Sequence, residues 1–189
     1  MSKWPRLDRQ EGKPTRSYRL GTSPMNATDA IRIALNLSYE WTLALAEDLA
    51  DAPFTEPTPG GNPPMWIVGH ISFSNACLLA MIDGEASKLE TWQSLFAGGT
   101  QPSTDPTQYP DYGDVLQAFR DVHAQALAIL EQTGDAGLDE APPAIPDFLA
   151  KMPELQTKGK VLMFVALHQI AHRGQLADAR RVLGRKPMA

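Results

Sequence analysis

Four long stretches of this chain repeat their apolar residues every three or four positions, and connections rich in proline and glycine separate them. That spacing gives a helix one apolar face, which must bury itself against another. The first stretch spans residues 26–51, with Ala30, Ile33, Leu37 and Ala44 recurring and Ile31, Leu35, Leu45 and Leu49 beside them. Asp29 supplies early negative charge and Pro53 is the expected stop. The second spans residues 64–83, with Asn62 as the expected N-cap, Pro63 in the first turn and Gly84 as the stop. Its stripe holds Ile67, His70, Phe73 or Ser74, Cys77 and Met81. The third spans residues 113–133, on a stripe of Leu116, Phe119, His123, Ala126 and Leu130. The last spans residues 158–183 and closes on Gly184 and Pro187. Residues 87–97 read as a short extra helix. No alternating strand pattern and no internal repeat appear. Helices of this length, each about 30–39 Å at 1.5 Å per residue, predict an all-α four-helix bundle.

A chain of 189 residues fits one such domain and can fold without a disulfide or a structural metal. The single cysteine, Cys77, excludes a disulfide framework and a cysteine-based zinc cluster. No run reaches the ~18 apolar residues of a membrane span, and the first twenty residues lack the apolar core of a signal peptide. The expected location is therefore cytoplasmic. The net charge of −5 is uneven: residues 1–20 and 173–189 each carry +4, and the stretch between carries −13. Arg180, Arg181, Arg185 and Lys186 fall at the end of the last helix, where cations oppose the dipole. With no interleaved aromatic residues to stack bases, nucleic acid is not the expected partner.

All four histidines lie on apolar stripes, and this is the most informative chemistry in the sequence. The stripe of the last helix reads Val161, Phe164, Val165, His168, His172, Gln175, Leu176, Ala179. Histidines four apart stand one above the other, about 5–6 Å between Cβ atoms. Both can reach one ion whose nitrogen ligands lie near 2.0–2.1 Å. His70 is the natural third ligand. If the two helices begin at the same end of the bundle, the depths of His70 and His168 differ by one turn. Three nitrogens and an open position describe a catalytic or substrate-binding site rather than a structural one. Zinc and nickel both suit imidazole. Gln169 follows His168 where a zincin would carry glutamate, so no general base is built in.

Other residues invite plainer readings. His123 is a candidate pocket group but more simply a hydrogen-bonded boundary residue. Gln175, three residues past His172, can orient a ligand or make an interhelical contact. Trp66, one turn before His70, suits both core and pocket wall. Cys77 lies about 10 Å along the axis from His70 and reads as a small core residue. Asn36, Tyr39 and Glu40 flank the stripe of the first helix, facing either the pocket or solvent.

The segments PPMWIVGHISFSNACLLAMIDG and LHQIAHRGQLADARRVLGRKP, with Trp66, Gly69-His70, His168, His172, Gly174-Gln175 and Leu183-Gly184, resemble the DinB-like superfamily. The resemblance runs from about Asn26 to Lys186. It implies a four-helix bundle over residues 23–189 that holds a divalent metal through a histidine of helix two and a His-x-x-x-His pair of the last helix. On this chain those are His70, His168 and His172. Characterised members include bacillithiol S-transferases and mycothiol-dependent isomerases. The resemblance thus implies a small-molecule substrate of the kind these members use, a low-molecular-weight thiol activated by the metal. A metal-dependent hydrolase and a non-enzymatic metal- or ligand-binding bundle stay open beside it. Members often pair through bundle helices, so a homodimer is expected.

Residues 1–22 read as a polar, basic arm with Trp4, Tyr18 and Leu20 as possible anchors. The connections at 98–112 and 134–158 exceed the ~2–8 residues of plain bundle loops. The second, with Phe148, Leu149 and Met152 as apolar anchors, is expected to fold over the bundle.

Overall fold

A computed structural model describes residues 24–52, 54–59 and 61–188. The expected arm, with Trp4, Tyr18 and Leu20, and the expected stop at Pro53 lie outside the described residues. Four long helices and one short one follow in order: α1 Ala27–Asp48, α2 Pro64–Asp83, α3 Gln93–Phe96, α4 Tyr112–Gly137 and α5 Lys158–Val182. No β-strand occurs among the described residues.

Local chemistry sets most of the boundaries. Asn26 caps α1 in a reciprocal box with Asp29. Thr157 caps α5 through the amide of Lys160. The cap of α2 is Pro63 rather than Asn62, with Pro64 in the first turn. No side chain caps this end; the Met65 amide instead donates to the Phe54 carbonyl at 2.8 Å. Gly84 then ends α2 at φ 74°, a left-handed turn that glycine adopts without strain. In α4 the helical path breaks at Gly134 (φ 54°), so the regular helix stops at Thr133 and one more turn follows.

The contacts fix the directions. Thr28 at the start of α1 bonds Asp135 at the end of α4, and Glu47 pairs with Arg120, so these helices are antiparallel. Asp48 and Asp51, at and just past the end of α1, pair with Arg180 and Arg185 at and just past the end of α5, so α1 and α5 are parallel. Arg185 also donates to the Asp48 carbonyl, serving the end of a helix that has no basic residue in its own last turn. His70 faces His172 while Asn75 faces His168, so α2 and α5 run oppositely. The bundle is up-down-down-up, and α2 and α4 are parallel neighbours.

Two corrections concern the helix faces. On α1 the buried side is Ile31, Leu35, Ser38, Thr42 and Leu45, whereas Ile33 and Leu37 are exposed. Two adjacent stripes satisfy the same spacing, and packing selects one. The second correction is to α2, which is long and apolar enough to cross a membrane, with mean hydropathy 1.6. Of its apolar window, 83% is buried inside the bundle. It is the innermost helix, and a helix buried all round must be apolar all round.

The core falls into two apolar clusters. One gathers Leu35, Leu79, Ala126, Leu130, Val161 and Leu162; the other gathers Leu49, Ile67, Ile71, Phe96, Phe119 and Leu176. Buried polar residues lie at or beside the change-over on every long helix: Ser38 and Thr42, Asn75, His123, and Gln169.

Candidate metal centre

The middle of α2 and the middle of α5 bring three imidazoles together. Potential ligand atoms of His70, His168 and His172 all lie within 4.8 Å of one another. The ring centroids are 5.2 Å apart for His70 and His168, 4.8 Å for His70 and His172, and 4.7 Å for His168 and His172. The expected trio therefore converges, but for a different reason. The two helices enter from opposite ends, so His70 and His172 meet at one level and Asn75 meets His168 one turn further on.

Each Nδ1 has an oxygen partner. His70 Nδ1 donates to the Phe96 carbonyl at 2.8 Å. His168 Nδ1 donates to Asn75 Oδ1 at 3.0 Å, and His172 Nδ1 to Gln175 Oε1 at 2.9 Å. A carbonyl only accepts, so His70 carries its proton on Nδ1 and keeps the Nε2 lone pair free. Such outer partners fix the tautomer and orientation of metal-binding histidines. Burial pushes His70 below its ordinary pKa, with His172 adding to the fall and the Phe96 carbonyl opposing it. Burial pushes His168 down to about 3, helped by His172 and His70. Both rings are thus neutral at pH 7, the form that binds a metal.

The donor set fits a divalent transition ion. Nitrogens bound at 2.0–2.1 Å around a tetrahedral ion lie about 3.3 Å apart, so ligand atoms within 4.8 Å of one another need to close by about 1.5 Å at most. No carboxylate belongs to the group among the described residues. His70, His168 and His172 would hold the ion, leaving at least one tetrahedral position for another ligand.

The walls come from α2 and from the connection after it. The Trp66 ring stacks on His70 at 4.5 Å and 7°. Its Nε1 donates to Thr100 Oγ1 at 2.8 Å, and that hydroxyl also reaches the carbonyls of Leu95 and Ala97. Gly69 explains how Phe96 reaches the site. A Cβ on Gly69 would lie 2.2 Å from the Phe96 ring, so only glycine lets this fully buried ring lie against α2 and set its carbonyl on His70.

Among the remaining sequence candidates, Gln175 and Trp66 belong to the site and His123 does not join the three histidines. His123 stacks on Tyr39 at 3.8 Å and 2°, and burial pushes it down to about 4. Its Nδ1 is buried without a hydrogen-bond partner among the described residues, contrary to the bonded boundary histidine expected. Of the α1 candidates, Tyr39 takes this stacking role and Glu40 is exposed. Cys77 is half-buried and outside the group, and burial pushes its thiol up. The sequence reading missed the Phe96 carbonyl and Asn75. Asn75 had a signal, an amide within an almost wholly apolar helix, and the structure buries it completely.

No curated protein matches the chain in sequence. The profile of the DinB superfamily matches residues 14–176, a span that contains α1 through most of α5 and all three histidines. The chain belongs to the DinB superfamily.

Proposed function

We propose that the protein holds a divalent metal, zinc or nickel, on His70, His168 and His172 and uses it to activate a low-molecular-weight thiol for transfer to an electrophile. The observation that carries this reading is the convergence of three imidazoles whose Nδ1 atoms all bond uncharged oxygens. A divalent ion held without anionic ligands keeps its full charge, and such an ion lowers the pKa of a neighbouring thiol enough to supply thiolate near neutral pH.

The chain's own residues supply position and dryness. Trp66 backs His70 with an apolar ring, and its bond to Thr100 ties the connection after α3 to the site. The Gly98 backbone approaches the edge of His70, where an added methyl would lie 4.0 Å from Cε1. The transfer forms a carbon–sulfur bond, releases the leaving group of the electrophile and gives the thiol proton to solvent. A hydrolase would place a carboxylate within reach of the attacking water, and no Asp or Glu joins the histidine group among the described residues.

The test is conjugation of a panel of bacterial thiols to a model aryl or alkyl halide by tag-free, metal-loaded protein. The expected result is a rate above the metal-free control that His168→Ala abolishes. Equal rates with and without metal would refute it.

A further inference from the structure

The metal reading leaves one buried group unexplained. Asn75 has no exposed surface, yet its Nδ2 has no hydrogen-bond partner among the described residues. A buried amide donor left unpaired is costly, and an apolar residue of the same shape would spare that cost. Its neighbours on α2 are of that kind: Ile71, Ala76, Leu78 and Leu79 are all buried. Only the other end of the amide makes a contact that an apolar residue cannot, the bond from His168 Nδ1 to Oδ1 at 3.0 Å.

Resting on the metal reading above, we infer that Asn75 is a positioning residue of the metal centre, holding His168 with its Nε2 lone pair turned toward His70 and His172. Three observations join here. First, His168 Nδ1–H needs an acceptor at this depth, and Asn75 supplies it from the helix that carries His70. The two ligands are thereby tied across the α2–α5 interface and not merely along α5. Second, the acceptor is neutral. An amide fixes the tautomer without adding a charge, as the Phe96 carbonyl and the Gln175 amide do for the other two rings. Third, Asn75 lies in the polar belt between the two apolar clusters, and α5 brings another orphaned group to the same belt, Gln169 Oε1. The polarity of the belt serves the metal centre at a cost to the core.

Loss of this residue should lower metal affinity without lowering stability, whereas loss of a purely structural asparagine would lower stability first. Zinc affinity is measured by chelator competition on the tag-free full chain, with thermal melts of the metal-free protein alongside. Asn75→Leu removes the acceptor and the orphaned donor together. Its zinc affinity is expected to fall roughly 10–100-fold, the usual effect of losing an outer partner, while the metal-free melting temperature holds or rises. Asn75→Asp keeps an acceptor oxygen in place and is expected to bind zinc about as tightly as the parent protein, and so more tightly than Asn75→Leu. Unchanged affinity in Asn75→Leu, or an equal fall in both variants, overturns the inference. A parent protein that takes up no zinc overturns the metal reading as well, whereas normal uptake with an indifferent Asn75→Leu overturns this inference alone. Should Asn75→Leu fail to fold, nitrogen-15 NMR of the zinc-loaded parent decides. A protonated His168 Nδ1 supports the inference and an unprotonated one overturns it.

Discussion

The two long connections of this bundle do different work although their compositions look alike. The first, residues 84–111, joins two parallel neighbours, so it must travel the length of a helix, about 30 Å for α2. On the way it lays Phe96 against Gly69 and sets Thr100 on Trp66, both at the three histidines. The second, residues 138–157, joins antiparallel helices and stays at the far end. There the Ala144 amide bonds the Met81 carbonyl, Lys158 and Gly159 bond the carbonyls of Glu140 and Leu138, and Leu155 is buried. Chain direction, rather than loop composition, decides which connection can reach the site.

That contrast is broken most severely by emptying the anchor of each connection. Phe96→Ala and Leu155→Ala both remove a side chain that is almost wholly buried, 0% and 1% exposed. Each is expected to destabilise by about 2–5 kcal/mol in denaturant unfolding. Only Phe96→Ala should also weaken zinc binding, since its ring sets the carbonyl that orients His70. A loss of zinc affinity in both variants would show that the two connections do not divide the work as described.

Acid gives the next largest effect. In the metal-free protein His168 and His123 are pushed down to about 3 and about 4 by burial. The unfolded chain therefore binds more protons than the folded one between those values and the ordinary histidine pKa of about 6.5. Their contribution is full above pH 6.5 and is lost as pH falls toward 4 and 3. Unfolding free energy measured from pH 7 to 4 should drop, and His123→Phe should flatten that slope by up to about 3 kcal/mol. Metal binding should be little altered in this variant. An unchanged slope would mean that His123 is not protonation-resistant in the folded state.

The bond between Trp66 and Thr100 sharpens the picture on a smaller scale. Thr100→Val leaves the indole N–H unpaired in a part-buried place and should cost about 1 kcal/mol in unfolding. At the other connection the comparison predicts almost nothing for the residue that composition singles out. Phe148, expected to anchor that segment, is 81% exposed, so Phe148→Ser should change stability by less than about 0.5 kcal/mol. Leu149, Met152 and Ile145 pack on the core in its place.

Periodicity made the helices and the histidine trio legible, because both rest on the 3.6-residue turn that sequence spacing reports directly. Chain direction was not legible. His70 and His168 converge in either a parallel or an antiparallel pair, so their depths could not choose between them. The outer partners were hidden for two reasons. The Phe96 contact is made by a backbone carbonyl, which every residue carries, and Gly69 marks it only as a close approach. Asn75 was visible as an amide on an apolar helix, but its meaning depends on His168 standing opposite. Phe148 misled because an apolar residue in a connection can anchor it or stay exposed, and only packing decides.

The central claim is a single metal ion on three imidazoles, and the most direct measurement is metal content and coordination in the tag-free protein. After zinc loading and extensive dialysis, elemental analysis should give one ion per chain. X-ray absorption should show about three imidazole nitrogens near 2.0–2.1 Å, and His70→Ala or His168→Ala should abolish retention. A parent protein that keeps no ion, or an ion kept equally well by both variants, would contradict the account.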